Sequence, residues 1–325
     1  MGLIVTGGIA PNDEGRPYEG GARLTTAAEA EQHRVVTDAV HAEGGRIALQ
    51  ILHFGRYAYH RDLVAPSPLQ APISPFPPRE LTDAEVERTI DDYARTARLA
   101  REAGYDGVEI MGSEGYLINE FIAARTNHRT DRWGGSYENR MRFPVEIVRR
   151  VREAVGEDFI LIYRLSMLDL VPEGSTLDEV ITLAKAVEAA GATIINTGIG
   201  WHEARIPTIA TSVPRGAYTW VTRRLMGEVS VPLVTTNRIN TPSWPSGCSR
   251  TARPTWCPWP ARCSPTPTSS PRPRPAGPRR STPASAATRR ASTTPSAGRS
   301  PPAWSTRAPA TRRNSSSPRP GCASA

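Results

Sequence analysis

Three Thr-x-x-Glu boxes constrain the fold of this chain more than any other feature: Thr26-Ala27-Ala28-Glu29, Thr82-Asp83-Ala84-Glu85 and Thr176-Leu177-Asp178-Glu179. In such a box the hydroxyl and the carboxylate satisfy backbone N–H groups that a helix start leaves open, so each box predicts a helix. The three helices run to glycine stops at Gly44, Gly104 and Gly191, where a left-handed residue ends a helix without steric cost. Short apolar runs lie between them, at residues 2–6, 46–52, 107–111, 159–165, 193–197 and 232–236. A helix is also predicted over 138–155, kinked or split by Pro144, and another over 218–226. Nearly continuous apolar strands alternating with amphipathic helices predict an α/β fold with a parallel sheet covered on both faces.

Polar residues cluster just after every strand: Thr6 to Gly8, Gln50 to His53, Glu114 to Tyr116, Arg164, Asn196 to His202, and Thr235 to Arg238. A doubly wound sheet uses only the loops at its switch point, whereas a (β/α)8 TIM barrel gathers every strand end at one mouth. Six polar strand ends favour the barrel.

One of these strand ends opens a long, chemically unusual segment. Gly112-Ser113-Glu114-Gly115-Tyr116-Leu117-Ile118-Asn119-Glu120-Phe121 reads as a Gly-rich turn presenting a tyrosine, and Asn127-His128-Arg129-Thr130-Asp131-Arg132-Trp133-Gly134-Gly135 as a polar loop feeding a helix. The two runs resemble the signature of the old yellow enzyme family of FMN-dependent oxidoreductases. That family commonly has a histidine pair before the Gly-Tyr-Leu, and here those positions are Met111 and Glu114. This departure resembles bacterial NADPH-dependent 2,4-dienoyl-CoA reductase, as do Arg164-Leu165-Ser166-Met167-Leu168-Asp169 and residues 198–205, Gly-Ile-Gly-Trp-His-Glu-Ala-Arg. The resemblance covers residues 3–242. It implies an eight-stranded barrel of which strands 2–7 are present, with the first strand ahead of Met1 and the eighth after Pro242.

The resemblance also implies roles, and the chemistry of each residue suits its role. Tyr116 would donate a proton, since a phenol with an ordinary pKa near ~10 is protonated at neutral pH. His202, after the sixth strand, would hydrogen-bond that phenol and steer the proton. Arg164 ends an otherwise apolar strand, where a guanidinium would stabilise reduced FMN. The Gln50 amide, which both donates and accepts, would face the flavin pyrimidine edge. Gly7 and Gly8 would allow the backbone close to the cofactor, and Arg238 would take the FMN phosphate. Arg125, His202, Glu203, Ala204 and Arg205 match substrate-contacting positions. An acyl-CoA substrate and NADPH are the implied partners, and an intact enzyme of this kind would add a 4Fe-4S cluster and FAD, whose sites are absent here. Two other readings stand beside this one: a general ene-reductase or trimethylamine-dehydrogenase-like enzyme on the same barrel, or a nucleic-acid-binding basic tail with the barrel as passenger.

The charge bears on that last reading. The chain is formally +8, yet residues 243–325 hold 14 arginines and no acidic residue, leaving 26 basic and 32 acidic residues before them. An acidic body argues against nucleic acid as a partner. The tail contains no Val, Ile, Leu, Phe, Met or Tyr, so it cannot bury enough apolar surface to fold. Its cysteines, Cys248, Cys257, Cys263 and Cys322, form no C-x-x-C pair and predict no metal site. The change after Pro242 reads as a frame error. Read from one nucleotide earlier, the codons of residues 254–263 permit Ala-Asp-Met-Val-Ser-Met-Ala-Arg-Pro-Leu, an apolar strand. The same shift permits cysteines opposite Ala284, Ala287, Ala291 and Ala303, the first three in the C-x2-C-x3-C spacing of an iron–sulfur motif. Domain boundaries follow: a partial barrel over 1–242 and an out-of-frame tail over 243–325. With no signal peptide and no membrane-spanning stretch, the expected location is the cytoplasm.

Overall fold

The computed structural model describes residues 2–240. The tail with its four cysteines, the predicted eighth strand and the strand expected ahead of Met1 all lie outside the described residues.

Each Thr-x-x-Glu box does what its chemistry dictates. Thr26 caps α1 (Ala27–Ala42), Thr82 caps α2 (Asp83–Glu102) and Thr176 caps α6 (Leu177–Ala189). In all three the threonine hydroxyl accepts from the glutamate N–H while the glutamate side chain accepts from the cap N–H. Such caps contribute about 1 kcal/mol each. They fix where each helix begins, and so how each preceding loop returns from the sheet.

Six parallel strands make one sheet: β1 (Leu3–Ile9), β2 (Arg46–Ile51), β5 (Gly107–Gly112), β6 (Ile160–Leu168), β7 (Ile194–Ile199) and β8 (Leu233–Val234), hydrogen-bonded in that order. The order never reverses, which excludes a doubly wound sheet and makes this the wall of a (β/α)8-type barrel. The wall is curved. Glu109 on β5 accepts a hydrogen bond from Asn196 on β7, across the β6 strand that lies between them. A second, two-residue parallel pair, β3 (Val64–Ala65) with β4 (Arg79–Glu80), stands apart from the wall.

The predicted helix over 138–155 is two helices, α4 (Tyr137–Arg140) and α5 (Arg142–Val155). The break falls at Met141. Pro144 lies in the first turn of α5, where a missing N–H costs nothing. A short helix, α3 (Leu117–Ile122), follows directly on Tyr116, and α7 (Thr219–Leu225) precedes β8. Val86, Ile90, Tyr93 and Ala97 of α2 and Phe143, Ile147, Val148 and Val151 of α5 are buried in the core with Val108, Ile110, Leu161 and Tyr163 of the strands. This i, i+4 apolar stripe lays the helices on the outer face of the wall and leaves the strand ends free for a site. No helix among the described residues is long and apolar enough to cross a membrane.

Candidate active site

The β5 strand ends in a turn that few sequences can make. Glu114 has φ 67° and Gly115 φ 86°, two left-handed residues in succession. A side chain at Gly115 would meet the Tyr57 hydroxyl at 2.5 Å and the Trp201 ring at 2.9 Å, so only glycine fits. Strain of this kind persists where the surroundings over-determine it, which is characteristic of functional sites. The turn delivers Tyr116 as the N-cap of α3.

The loop after β7 delivers the second group. The His202 N–H donates to the Glu114 carbonyl at 3.3 Å, which ties the two loops together by their backbones. The His202 Nε2 then lies 2.8 Å from the Tyr116 hydroxyl. Phe54 and Tyr57 pack edge-on against the Tyr116 ring, with centroids 5.1 and 5.9 Å away. Burial raises the Tyr116 phenol to about 12, with Glu114 adding and Arg164 opposing. The phenol therefore keeps its proton across the physiological range and has one hydrogen-bond partner ready to support its loss.

Arg164, expected to end its strand, lies inside β6 because the strand runs on to Leu168, and its side chain sits beside this turn. Its Nε and Nη2 donate to Glu114 Oε1 at 3.1 and 2.5 Å. Gln50 donates from Nε2 to Glu109 Oε1 at 2.7 Å, and Asn196 donates from Nδ2 to Glu109 Oε2 at 2.6 Å. Glu109 is 1% exposed. A carboxylate that accepts at both oxygens turns the NH2 of each amide toward itself, so the Gln50 carbonyl is left to face elsewhere. Gly7 lies in an irregular stretch of the β1–β2 pairing, and a Cβ there would meet nothing within 4 Å, whereas one on Gly8 would strike Leu52. Arg238 has φ 61° and donates to the Val213 carbonyl from Nε at 2.8 Å and to that of Thr211 from Nη2 at 3.4 Å.

The expected substrate-contacting residues divide. The Glu203 side chain is 2% exposed and turned inward. Its carboxylate accepts from Arg56 Nη2 at 2.6 Å, from Tyr57 at 3.2 Å and from Arg125 at 3.1 and 3.2 Å. Arg125 is thus held by Glu203, while Ala204 is half-buried and Arg205 exposed. His53 is buried, with its pKa pushed down to about 3 by burial, and accepts from the Gly55 N–H; His33 bonds Tyr105.

Several residues of the site were not anticipated: Arg56, Glu109, Asn119, Glu120 and Asp169. Glu109 interrupts an apolar strand as Gln50 does, and the same signal would have found it. The others meet only across loops. No group of His, Cys, Asp and Glu among the described residues is arranged to hold a metal.

Residues 1–247 match the model of the NADH:flavin oxidoreductase / NADH oxidase family, and the chain belongs to that family. It is 40% identical over 245 residues to a metal reductase of Desulforamulus reducens, a match that covers 74% of this chain and 36% of the relative. The chain thus spans about a third of the length of curated relatives of this kind. Among solved structures, a 2-naphthoyl-CoA reductase in complex with 2-naphthoyl-CoA superposes with a TM-score of 0.75 at 30% identity, over 78% of this chain and 42% of that one. An old yellow enzyme homologue from Zymomonas mobilis superposes with a TM-score of 0.64 at 28% identity, over 78% of this chain and 75% of that one. The barrel and the flavin-oxidoreductase class expected from the sequence are therefore correct.

Proposed function

We propose that this barrel binds FMN and reduces the conjugated double bonds of a 2,4-dienoyl-CoA, with NADPH as the source of electrons. The residues at the mouth fit the cofactor. A flavin needs an open backbone approach, an amide at its pyrimidine edge and a cation near the ring positions that gain charge on reduction. Gly7 has the open space, Gln50 presents its amide oxygen away from Glu109, and Arg164 carries the guanidinium. Arg238 would hold the phosphate. When bound and reduced, FMN supplies a hydride.

The rest is the work of this chain's own residues. Tyr116 donates its proton to the substrate carbon neighbouring the one that is reduced. His202, donating from Nε2 to the phenol oxygen, stabilises the charge left there. Arg125, Ala204, Arg205 and the backbone at Glu203 line the approach of the thioester. The observation that carries this reading is the 2.8 Å contact between His202 and Tyr116. The CoA substrate is supported by two features: the 2-naphthoyl-CoA reductase neighbour binds a CoA thioester, and Met111 and Glu114 stand where ene-reductases of the family have their histidine pair. The intact enzyme's 4Fe-4S cluster and FAD belong to this proposal as well.

A substrate panel tests it. The FMN-loaded enzyme, reduced anaerobically, is mixed with a 2,4-dienoyl-CoA or with a simple cyclic enone, and in a separate assay the oxidised enzyme is mixed with trimethylamine. Reoxidation fastest with the dienoyl-CoA supports the proposal. Faster reoxidation by the enone would make the chain a general ene-reductase, and oxidised enzyme reduced by trimethylamine would make it an amine oxidase.

A further inference from the structure

Asp169 stands one residue beyond the end of β6 and is buried, yet it touches neither Tyr116 nor His202. Its Oδ1 accepts three hydrogen bonds: from Ser166 Oγ at 2.7 Å, from Trp201 Nε1 at 2.8 Å and from Asn119 Nδ2 at 3.2 Å. Its Oδ2 accepts from the Ser175 N–H at 2.7 Å, and its backbone carbonyl from the Trp201 N–H at 3.0 Å. Among the described residues it has no ion-pair partner, so these donors alone balance a buried carboxylate.

Two of the donors lead directly to the site. Asn119 uses its other amide atom, Oδ1, to accept from the Gly115 N–H at 3.0 Å. Gly115 precedes Tyr116, and Trp201 precedes His202. One carboxylate oxygen therefore holds, through a single side chain on each side, the residue before each member of the pair.

We infer that Asp169 is the positioning residue of the Tyr116–His202 pair, fixing both turns to one buried point so that the two side chains meet. The inference rests on reading that pair as the proton-donating device. Its physical basis is tolerance: a hydrogen bond weakens steeply with a small displacement, and a misplacement of about 1 Å costs a catalytic group roughly 10²-fold. The turn carries a left-handed Glu114, and His202 is an exposed residue whose ring packs only edge-on against Tyr57 and Tyr116, so a fixed buried anchor is what both turns need. Asp169 supplies a common anchor for both.

The test uses the full chain labelled with 15N-histidine. The chain has six histidines, so the spectrum is tractable. The His202 signal is assigned with His202→Asn, and its bond to the phenol is calibrated with Tyr116→Phe. Trp201→Phe keeps an aromatic ring but removes the indole N–H that Asp169 accepts, together with part of the ring that packs beside Gly115 and Arg56; Asn119→Ala tests the other route without touching that packing. Trp201→Phe is expected to move the His202 signal toward its position in Tyr116→Phe. Asn119→Ala is expected to act likewise, and the double variant to move it little further than either single one, because both routes end on one carboxylate. In turnover, Trp201→Phe should lower kcat about 10-fold with KM within about twofold. A His202 signal unchanged in Trp201→Phe, or fully additive shifts in the double variant, overturns the inference while the proton-donor reading stands. Full product formation by Tyr116→Phe overturns that reading itself, and is measured on a separate variant.

Discussion

His202 Nε2 and the Tyr116 hydroxyl, 86 positions apart in the chain, lie 2.8 Å from each other at the mouth of the barrel. The Tyr116 phenol is raised to about 12, chiefly by burial, so it stays protonated across the physiological pH range. It can act as an acid only toward a much stronger base, such as the carbon left after hydride addition. A partner that donates a hydrogen bond to the departing phenolate makes that transfer easier without pre-ionising the tyrosine.

Tyr116→Phe is therefore expected to leave flavin reduction by NADPH unchanged and to slow product formation by about 10²–10⁴-fold, the usual contribution of a positioned general acid. Stopped-flow absorbance of the flavin separates the two half-reactions. Reoxidation at the unsubstituted rate would remove Tyr116 from the mechanism.

Arg164→Ala is expected to weaken FMN binding by about 10-fold or more, the equivalent of one charge-assisted hydrogen bond, and to lower the flavin reduction potential. The sign follows from charge. A guanidinium beside the flavin would favour its anionic reduced form, and its loss also leaves Glu114 without its partner. Fluorescence titration and potentiometry measure the two effects. An unchanged potential with FMN still bound would confine Arg164 to its ion pair with Glu114.

The alternation of strands and helices was legible because it rests on local chemistry. The Thr26, Thr82 and Thr176 boxes act within four residues, and each forms as read. The contact between Tyr116 and His202 was legible through the family motif, and Gln50 stood out because it interrupts an apolar strand; Arg164 stood out as the expected end of a strand that in fact runs on to Leu168, and the flavin roles of Gln50 and Arg164 belong to the proposal. Asp169, Asn119 and Arg56 were not legible, since their partners lie across loops whose approach no spacing reveals. The α3 helix was hidden for another reason. Its Gly-Tyr entry looks like a loop, although Leu117, Ile118, Phe121 and Ile122 already carry the helical i, i+3, i+4 spacing. The Met141 break differs in position from the Pro144 expectation because proline is tolerated in a helix's first turn and so begins α5 instead of ending α4.

Stability should depend on pH through Glu120. It is fully buried, and burial raises its pKa from 4.5 to about 8, with the Arg56 charge and N–H opposing. Between those values the unfolded chain has released a proton that the folded chain retains. This contribution to stability is complete below pH 4.5 and is lost progressively as the pH rises toward 8. Glu120→Gln, which mimics the neutral acid, should flatten the dependence and be the more stable form at pH 8. Urea unfolding at pH 5 and pH 8 checks it. Equal slopes in the two proteins would mean that Glu120 is ionised in the fold.

The tail has its own test. If residues 243–325 are translated out of frame, the gene's nucleotide sequence read one position earlier opposite residues 254–263 should encode Ala-Asp-Met-Val-Ser-Met-Ala-Arg-Pro-Leu. Tryptic peptides of the protein isolated from its own cells should then contain that segment in place of the Pro- and Arg-rich one. Recovery of peptides from residues 263–325 as written would establish the tail as genuine protein.

Glu109 shows how this barrel constrains its own evolution. Its two oxygens are shared between amides from two other strands, one of them reached across β6. The three side chains are coupled through these two hydrogen bonds. A change at position 109 that introduces a donor would set NH2 against NH2 until Gln50 or Asn196 rotated or was replaced, and rotation of Gln50 would exchange the acceptor it presents for a donor. Relatives that vary at one of these positions should therefore vary at the others in step, and a lineage that loses Glu109 should also read its cofactor's edge with the opposite polarity.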